Sequence, residues 1–179
     1  MGKKVILMLF CASVLISGCK RGSFSISGTI DGAGDGEYLL LKEVKPGILE
    51  PVDSVVPGKD GRFSFRSETG WPAFFMLSMD DDDFLTMLIA PGEKIEVKAA
   101  RNSMARPSSV TGSEGTSVIL GFRKDQDEVV AGLKKLTDTY NDSIDSPRRP
   151  LLMDSLDRRA ADIVAGFRAR ASTRLNENR

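Results

Sequence analysis

The sequence predicts a mainly β domain followed by helices: an antiparallel β-sandwich or partly open barrel of about seven strands, then an α-helical hairpin. Two observations carry this expectation. Between Phe24 and Lys98, apolar and polar residues alternate in short runs separated by Gly, Pro and Asp, the period-2 pattern of strands with one buried face. Beyond residue 116 the apolar residues recur every three or four positions, the spacing of one helix face. Short strands so closely spaced favour sheets packed on each other. The expected organisation is a β-domain at 24–100, a linker at 101–116 and a helical hairpin at 117–179.

The strands are read in order. Phe24-Ser-Ile-Ser-Gly-Thr-Ile30 puts Phe24, Ile26 and Ile30 on one face and Ser25, Ser27 and Thr29 on the other. Asp31-Gly-Ala-Gly-Asp-Gly36 is glycine-rich, but no GK[ST] ending or helix follows, so it is a turn and not a phosphate cradle. Tyr38 to Val44 is the next strand, broken by Lys45-Pro-Gly47, and Val52 to Val56 is a third. Lys59-Asp60-Gly61-Arg62 reads as a hairpin turn, because Asp-Gly tolerates positive φ. Phe63-Ser-Phe65 alternates after it. Trp71-Pro72 opens an apolar strand, Ala73 to Met79. Asp80 to Asp83 caps that strand, Phe84 to Ala90 returns, and after Pro91-Gly92 the run Lys94 to Lys98 alternates again. Asn102 to Gly115, rich in Ser, Gly and Thr, reads as a linker or long loop.

In the helical part, Val118, Phe122, Val129, Leu133, Leu136 and Tyr140 fall near one face. Asn141 to Pro147 interrupts the pattern with N-cap candidates. Leu152, Leu156, Ala160, Ile163, Phe167, Ala171 and Leu175 form a second stripe, and Arg168, Arg170 and Arg174 suit the negative end of that helix dipole. Both stripes are read as packing surfaces. They are too short for an extended coiled coil.

The N-terminus has another character. Lys3 and Lys4 precede an apolar run from Val5 to Ile16, and small residues follow. That is the layout of a signal peptide over residues 1–18. The run is shorter than the roughly 20 apolar residues a membrane-spanning helix needs. Leu15-Ile16-Ser17-Gly18-Cys19 resembles the lipobox of bacterial lipoproteins. The resemblance implies cleavage between Gly18 and Cys19, acyl chains on Cys19, and a tether at 19–23. Several acyl chains together anchor a protein stably. In lipoproteins of the Bacteroidota, acidic residues after the lipidated cysteine resemble a surface-export signal. Lys20-Arg21-Gly22 has none, so the expected location is the outer membrane, facing the periplasm.

Composition narrows the chemistry. The chain has no histidine and two cysteines, Cys11 inside the signal and Cys19 at its end. Beyond Cys19 there is no thiol, disulfide or CxxC pair. Nucleophilic triads that need histidine are excluded, and the usual zinc ligands are missing. The balance of 25 basic and 25 acidic residues, with no concentrated basic face, argues against nucleic acid. No cofactor and no catalytic residue is assigned. The one dense charge cluster is Asp80, Asp81, Asp82 and Asp83. Hard cations want such oxygens, but EF-hand spacing is absent, and a solvated acidic turn is the favoured reading. Trp71 could stack on a ligand, though an edge-strand core anchor is the commoner role. Glu68 and Glu93 have no carboxylate partner at a readable spacing. The partner classes left are the membrane through Cys19, a protein, a second copy in a homodimer, or an unspecified small molecule.

Five segments recur together: Ser27-Gly28-Thr29-Ile30, Val52-Asp53-Ser54-Val55, Asp60 to Phe65, Leu88 to Glu96 and Val110 to Ser113. In this order they resemble the N-terminal β-domain of unknown function in lipoproteins of the Bacteroidota, over about residues 24–113. That resemblance implies a helical segment next, then a thioredoxin-like domain of the thiol-disulfide interchange or peroxiredoxin-like type. No position here matches its redox cysteines. The expectation is therefore a non-catalytic binding, spacing or dimerising module. The alternative is the N-terminal part of an oxidoreductase whose catalytic domain lies beyond residue 179 or on a partner.

Overall fold

In a computed structural model of the chain, residues 22–143 and 149–177 are described. Within them lie eight strands: β1 (Ser23–Asp31), β2 (Leu39–Lys45), β3 (Ile48–Val55), β4 (Arg62–Glu68), β5 (Ala73–Ser78), β6 (Phe84–Ile89), β7 (Lys94–Ala100) and β8 (Ser109–Thr111). One sheet has the order β4-β1-β7-β8, the other β3-β2-β5-β6. The two pack as a sandwich. Two 29-residue helices follow, α1 (Glu114–Asp142) and α2 (Arg149–Glu177), packed together as a hairpin. Of the two expected β architectures, the sandwich is the one formed.

The alternation read from the sequence builds the core. Phe24, Ile26, Ile30, Phe63, Phe65, Ile95 and Val97 of the first sheet meet Leu39, Leu41, Phe75, Leu77, Leu85, Met87 and Ile89 of the second. Phe24 and Phe75 touch across the sheets, their ring centroids 4.8 Å apart. The outward residues of the first sheet are polar: Ser25, Ser27 and Thr29 stand beside Arg66, Ser64 and Arg62 on one side and Lys94, Glu96 and Lys98 on the other. That contrast fixes the register, because a one-residue slip would turn the polar row inward.

Three features differ from the expectations. First, β1 pairs antiparallel with β4 but parallel with β7. The cause is the short link after β6. Its Gly92 N–H donates to the Ser23 carbonyl, 2.9 Å, and the Ser25 N–H donates to that of Glu93, 3.0 Å. The link thus delivers β7 to the end where β1 begins, and both strands run the same way. At the seam a Cβ on Gly28 would collide with the Val97 carbonyl, so only glycine allows this approach.

Second, Asp60-Gly61 is not a hairpin turn. β3 pairs with β2, and the chain crosses here from one sheet to the other. The local chemistry read from the sequence still holds, since Gly61 has φ 72°. Its carbonyl accepts from the Ile30 N–H at 2.9 Å. Third, the stretch read as linker carries β8, which pairs with β7, and the fully buried Met104. The Met104 N–H donates to Asp83 Oδ1, 2.7 Å, which folds this loop over the core. The expected break at Asn141–Pro147 lies partly outside the described residues.

Met104→Ala is expected to lower stability by about 2–5 kcal/mol, the range for truncating a buried methionine. Ser103→Ala, at the exposed neighbour, should stay within about 0.5 kcal/mol. Urea denaturation of the two variants checks this, and equal effects would contradict the buried placement.

Candidate functional site

The helical hairpin is mounted on the sandwich at its first turn. Ser113 is the N-cap of α1, its hydroxyl accepting from the Thr116 N–H at 3.2 Å. The Ser113 and Thr116 hydroxyls also donate to the Leu88 carbonyl of β6, at 2.9 and 3.1 Å. Ser113 and Thr116 are both buried. A cap of this kind contributes about 1 kcal/mol to a helix. Here it also wires the helix to a strand. The helix begins at Glu114, three residues before the expected boundary at 117, because the capping hydroxyl, not the apolar stripe, sets its start.

Further along, Asp125 of α1 is 3 % exposed and accepts from Arg174 Nε at 2.8 Å and Arg170 Nε at 2.9 Å. Both arginines come from α2, one turn apart. Arg170 also lies 3.5 Å from Glu128. The hydrogen bond from Arg174, with that from Arg170, holds the Asp125 carboxyl below its ordinary value of 3.8, against the opposing effect of burial. Arg170 and Arg174 thus find a side-chain partner on the other helix beyond the helix dipole. Arg168 is exposed. Leu175, read as part of the apolar stripe, is exposed.

A groove of about 560 Å³ lies between the loop after β7 and the first half of α1. Ala105, Pro107, Leu120 and Ala131 supply its apolar lining. Arg106 and Asp127 close one part of it by a two-point ion pair, 2.8 and 3.1 Å. That pair holds the Asp127 carboxyl low and the Arg106 guanidinium high. Arg123, Lys124 and Glu128 form the remaining rim. Its volume falls within the usual range of ligand pockets. Loop and helix meet here from positions about 20 residues apart, so no local sequence spacing marks the groove.

Three of the four aspartate side chains, Asp80, Asp81 and Asp83, have structural partners. Asp80 Oδ1 accepts from the N–H groups of Asp82 and Asp83, at 3.0 and 2.7 Å, which shapes the β5–β6 turn. Asp83 holds Met104, as above, and Asp81 lies 3.6 Å from Lys42. No group of three or more metal-ligating side chains occurs among the described residues. Nearby, Glu37 takes a forked hydrogen bond from Arg101, 2.5 and 2.7 Å. Its carboxyl is lowered first by the Gly34 N–H and then by Arg101. Glu93 Oε2 accepts from the Ala90 N–H at 3.0 Å. Trp71 is not a core anchor: it is 73 % exposed, because it sits on the crossover from β4 to β5 and not in a strand. Gly18 and Cys19 lie outside the described residues. Among those described, no helix is long and apolar enough to cross a membrane.

Asp125→Asn removes the charge that both arginines share. It should lower the melting temperature by several degrees. The wild-type contribution is present above about pH 3.8, the ordinary value, and is lost as pH falls through the lower folded value. Thermal melts at stepped pH should therefore show wild type and variant converging in acid. A gap that persists unchanged at low pH would contradict this assignment.

No curated protein matches the chain. No solved structure matches it either. Residues 24–117 match the family described as Domain of unknown function (DUF4369), more than half of the chain and almost the whole sandwich with the first turn of α1. The chain belongs to this family.

Proposed function

We propose that this protein is a lipid-anchored, non-catalytic module of the cell envelope that presents a braced helical hairpin, and the groove at its base, to a partner. The observation that carries the reading is the bracing. The cap on Leu88, the Arg106–Asp127 pair and the buried Asp125 clamp hold two long helices to one sandwich. A platform or spacer needs that rigidity. The shifted carboxylates point the same way. Glu37, Asp125 and Asp127 are all lowered by the hydrogen bonds that fix them in place, as expected of carboxylates that brace a structure. The anchor rests on the lipobox-like run ending at Cys19. The outer membrane, facing the periplasm, is the location we assign it, because Lys20-Arg21-Gly22 after Cys19 has no acidic residue.

A second reading has the module serve a thioredoxin-like domain, in the same polypeptide or on a partner. The five recurring segments of the β-domain favour it.

Two measurements test these readings. Labelled fatty acid should be incorporated into the wild type and lost in Cys19→Ala, which should leave the membrane fraction. Labelling that persists in the variant contradicts the anchor. An antibody to the sandwich should detect native protein at the mature mass plus lipid. A band larger by one small domain, roughly 100–150 residues, would instead support the thioredoxin-linked reading.

A further inference from the structure

The two ends of the sandwich differ in chemistry. β1 starts at Ser23, level with the end of β4 at Glu68 and the start of β7. In the other sheet, β5 and β3 start, and β2 and β6 end, at this same end. Five large apolar side chains are exposed there: Trp71 at 73 %, Ile48 at 59 %, Phe74, Leu49 and Val44. Val44 and Leu49 are direct cross-strand partners. Trp71 belongs to the crossover that the chain's entry point touches: the Thr69 N–H donates to the Gly22 carbonyl at 2.7 Å, and the Thr69 hydroxyl to that of Trp71 at 2.6 Å. The opposite end carries Asp31, Asp35, Glu37, Asp60 and the Asp80–Asp83 turn, offset in part by Lys59 and Arg101.

We infer that the Trp71 end is a membrane-contact surface that seats on the lipid bilayer and orients the domain. The inference rests on the acylated Cys19 of the proposed function. Cys19 is three residues before Gly22, and three residues span at most about 11 Å. Acyl chains on Cys19 therefore bring this end of the sandwich, and no other, against the headgroups. Trp favours that boundary, where its ring is partly buried and its N–H remains hydrated. A cluster of exposed apolar side chains marks an interaction site in a folded domain. Lys45, the cation of the β2–β3 hairpin, is already paired with Glu50 and Glu43. Contact therefore rests on apolar insertion, which salt does not screen, while Lys20, Arg21 and Lys94 at this end add an attraction to anionic lipid that salt does screen. The acyl chains supply affinity, and the patch supplies orientation. α1 starts at the seated end, on Leu88, and reaches the loop after β7 at Asp127. The hairpin therefore points away from the bilayer.

Trp71 is the sole tryptophan, so its fluorescence reports on this surface alone. The test uses the full acylated protein in vesicles of phosphatidylethanolamine and phosphatidylglycerol with brominated acyl chains. The expected result is flotation with the vesicles, a blue-shifted Trp71 emission, and quenching by the bromines that persists in molar salt. Flotation without blue shift or quenching overturns the contact surface and leaves the anchor standing. Failure to float overturns both. The double variant Ile48→Ser and Leu49→Ser alters exposed positions only. It should float as before with weaker quenching, and unchanged quenching would overturn the shared patch.

Discussion

The closest packing in the sandwich is the seam at which Gly28 lies against the Val97 carbonyl, with no room for a Cβ. Everything else in the domain depends on it. β1 is the strand through which β4 joins β7, and its two neighbours run in opposite senses. An antiparallel partner can come from a tight turn, but a parallel partner requires the chain to leave and return. Here it leaves into the second sheet, building β2, β3, β5 and β6 before returning as β7. The parallel seam and the two-layer architecture are thus one constraint. A sheet that pairs its first strand with its seventh needs somewhere to put the intervening chain, and the second layer is that place.

The helices inherit their position from the same scheme. β8 adds to β7 for three residues, and the chain then reaches Ser113, where two hydroxyls meet the Leu88 carbonyl. Leu88 is in β6, and its carbonyl is one of the groups that an edge strand leaves available on its unpaired side. Capping the helix and covering that edge are a single interaction. From there, bracing is electrostatic. Arg106 and Asp127 fasten α1 to the loop, and Asp125 fastens α2 to α1. Asp125 is buried, and a buried carboxylate is tolerated only when paired and hydrogen-bonded. Two guanidiniums meet that condition.

The strands were legible because each has one wet and one dry face, and alternation such as Phe63-Ser64-Phe65 exposes that directly. The helical hairpin was legible from the change of period. Pairing was not. Asp60-Gly61 has the turn chemistry of a hairpin, yet the same positive φ serves a crossover, and only the partner of Ile30 distinguishes the two. Met104 shows a second limit. One buried methionine in a polar loop has no periodicity, so nothing nearby marks it as core. The groove and the Asp125 clamp depend on residues 21 and 45 positions apart, beyond the reach of local pattern. Asp80–Asp83 stood out by charge alone; in the structure Asp80 shapes a turn and Asp83 holds a loop.

The polarity of the sandwich follows from which connections fall at which end. Residues 46–47, 69–72 and 90–93 lie with the start of β1 and contain Pro-Gly, Trp-Pro and Pro-Gly pairs. Residues 32–38, 56–61 and 79–83 lie at the other end and hold six of the eight aspartates between residues 22 and 113. Proline and glycine turn a chain by backbone shape, and aspartate turns it by hydrogen-bonding its own backbone, as Asp80 does. Both solutions make turns, but only the second requires charge. Among the three links at the entry end the one carboxylate, Glu93, is turned back on the Ala90 N–H, and Trp71 and Phe74 stay exposed. α1 then adds a direction. At 1.5 Å per residue its 29 residues run about 44 Å, roughly twice the length of a six- or seven-residue strand. A helix that starts at the apolar end and lies along the sandwich must overrun the acidic end, so the hairpin tip and the entry point of the chain are on opposite sides of the domain.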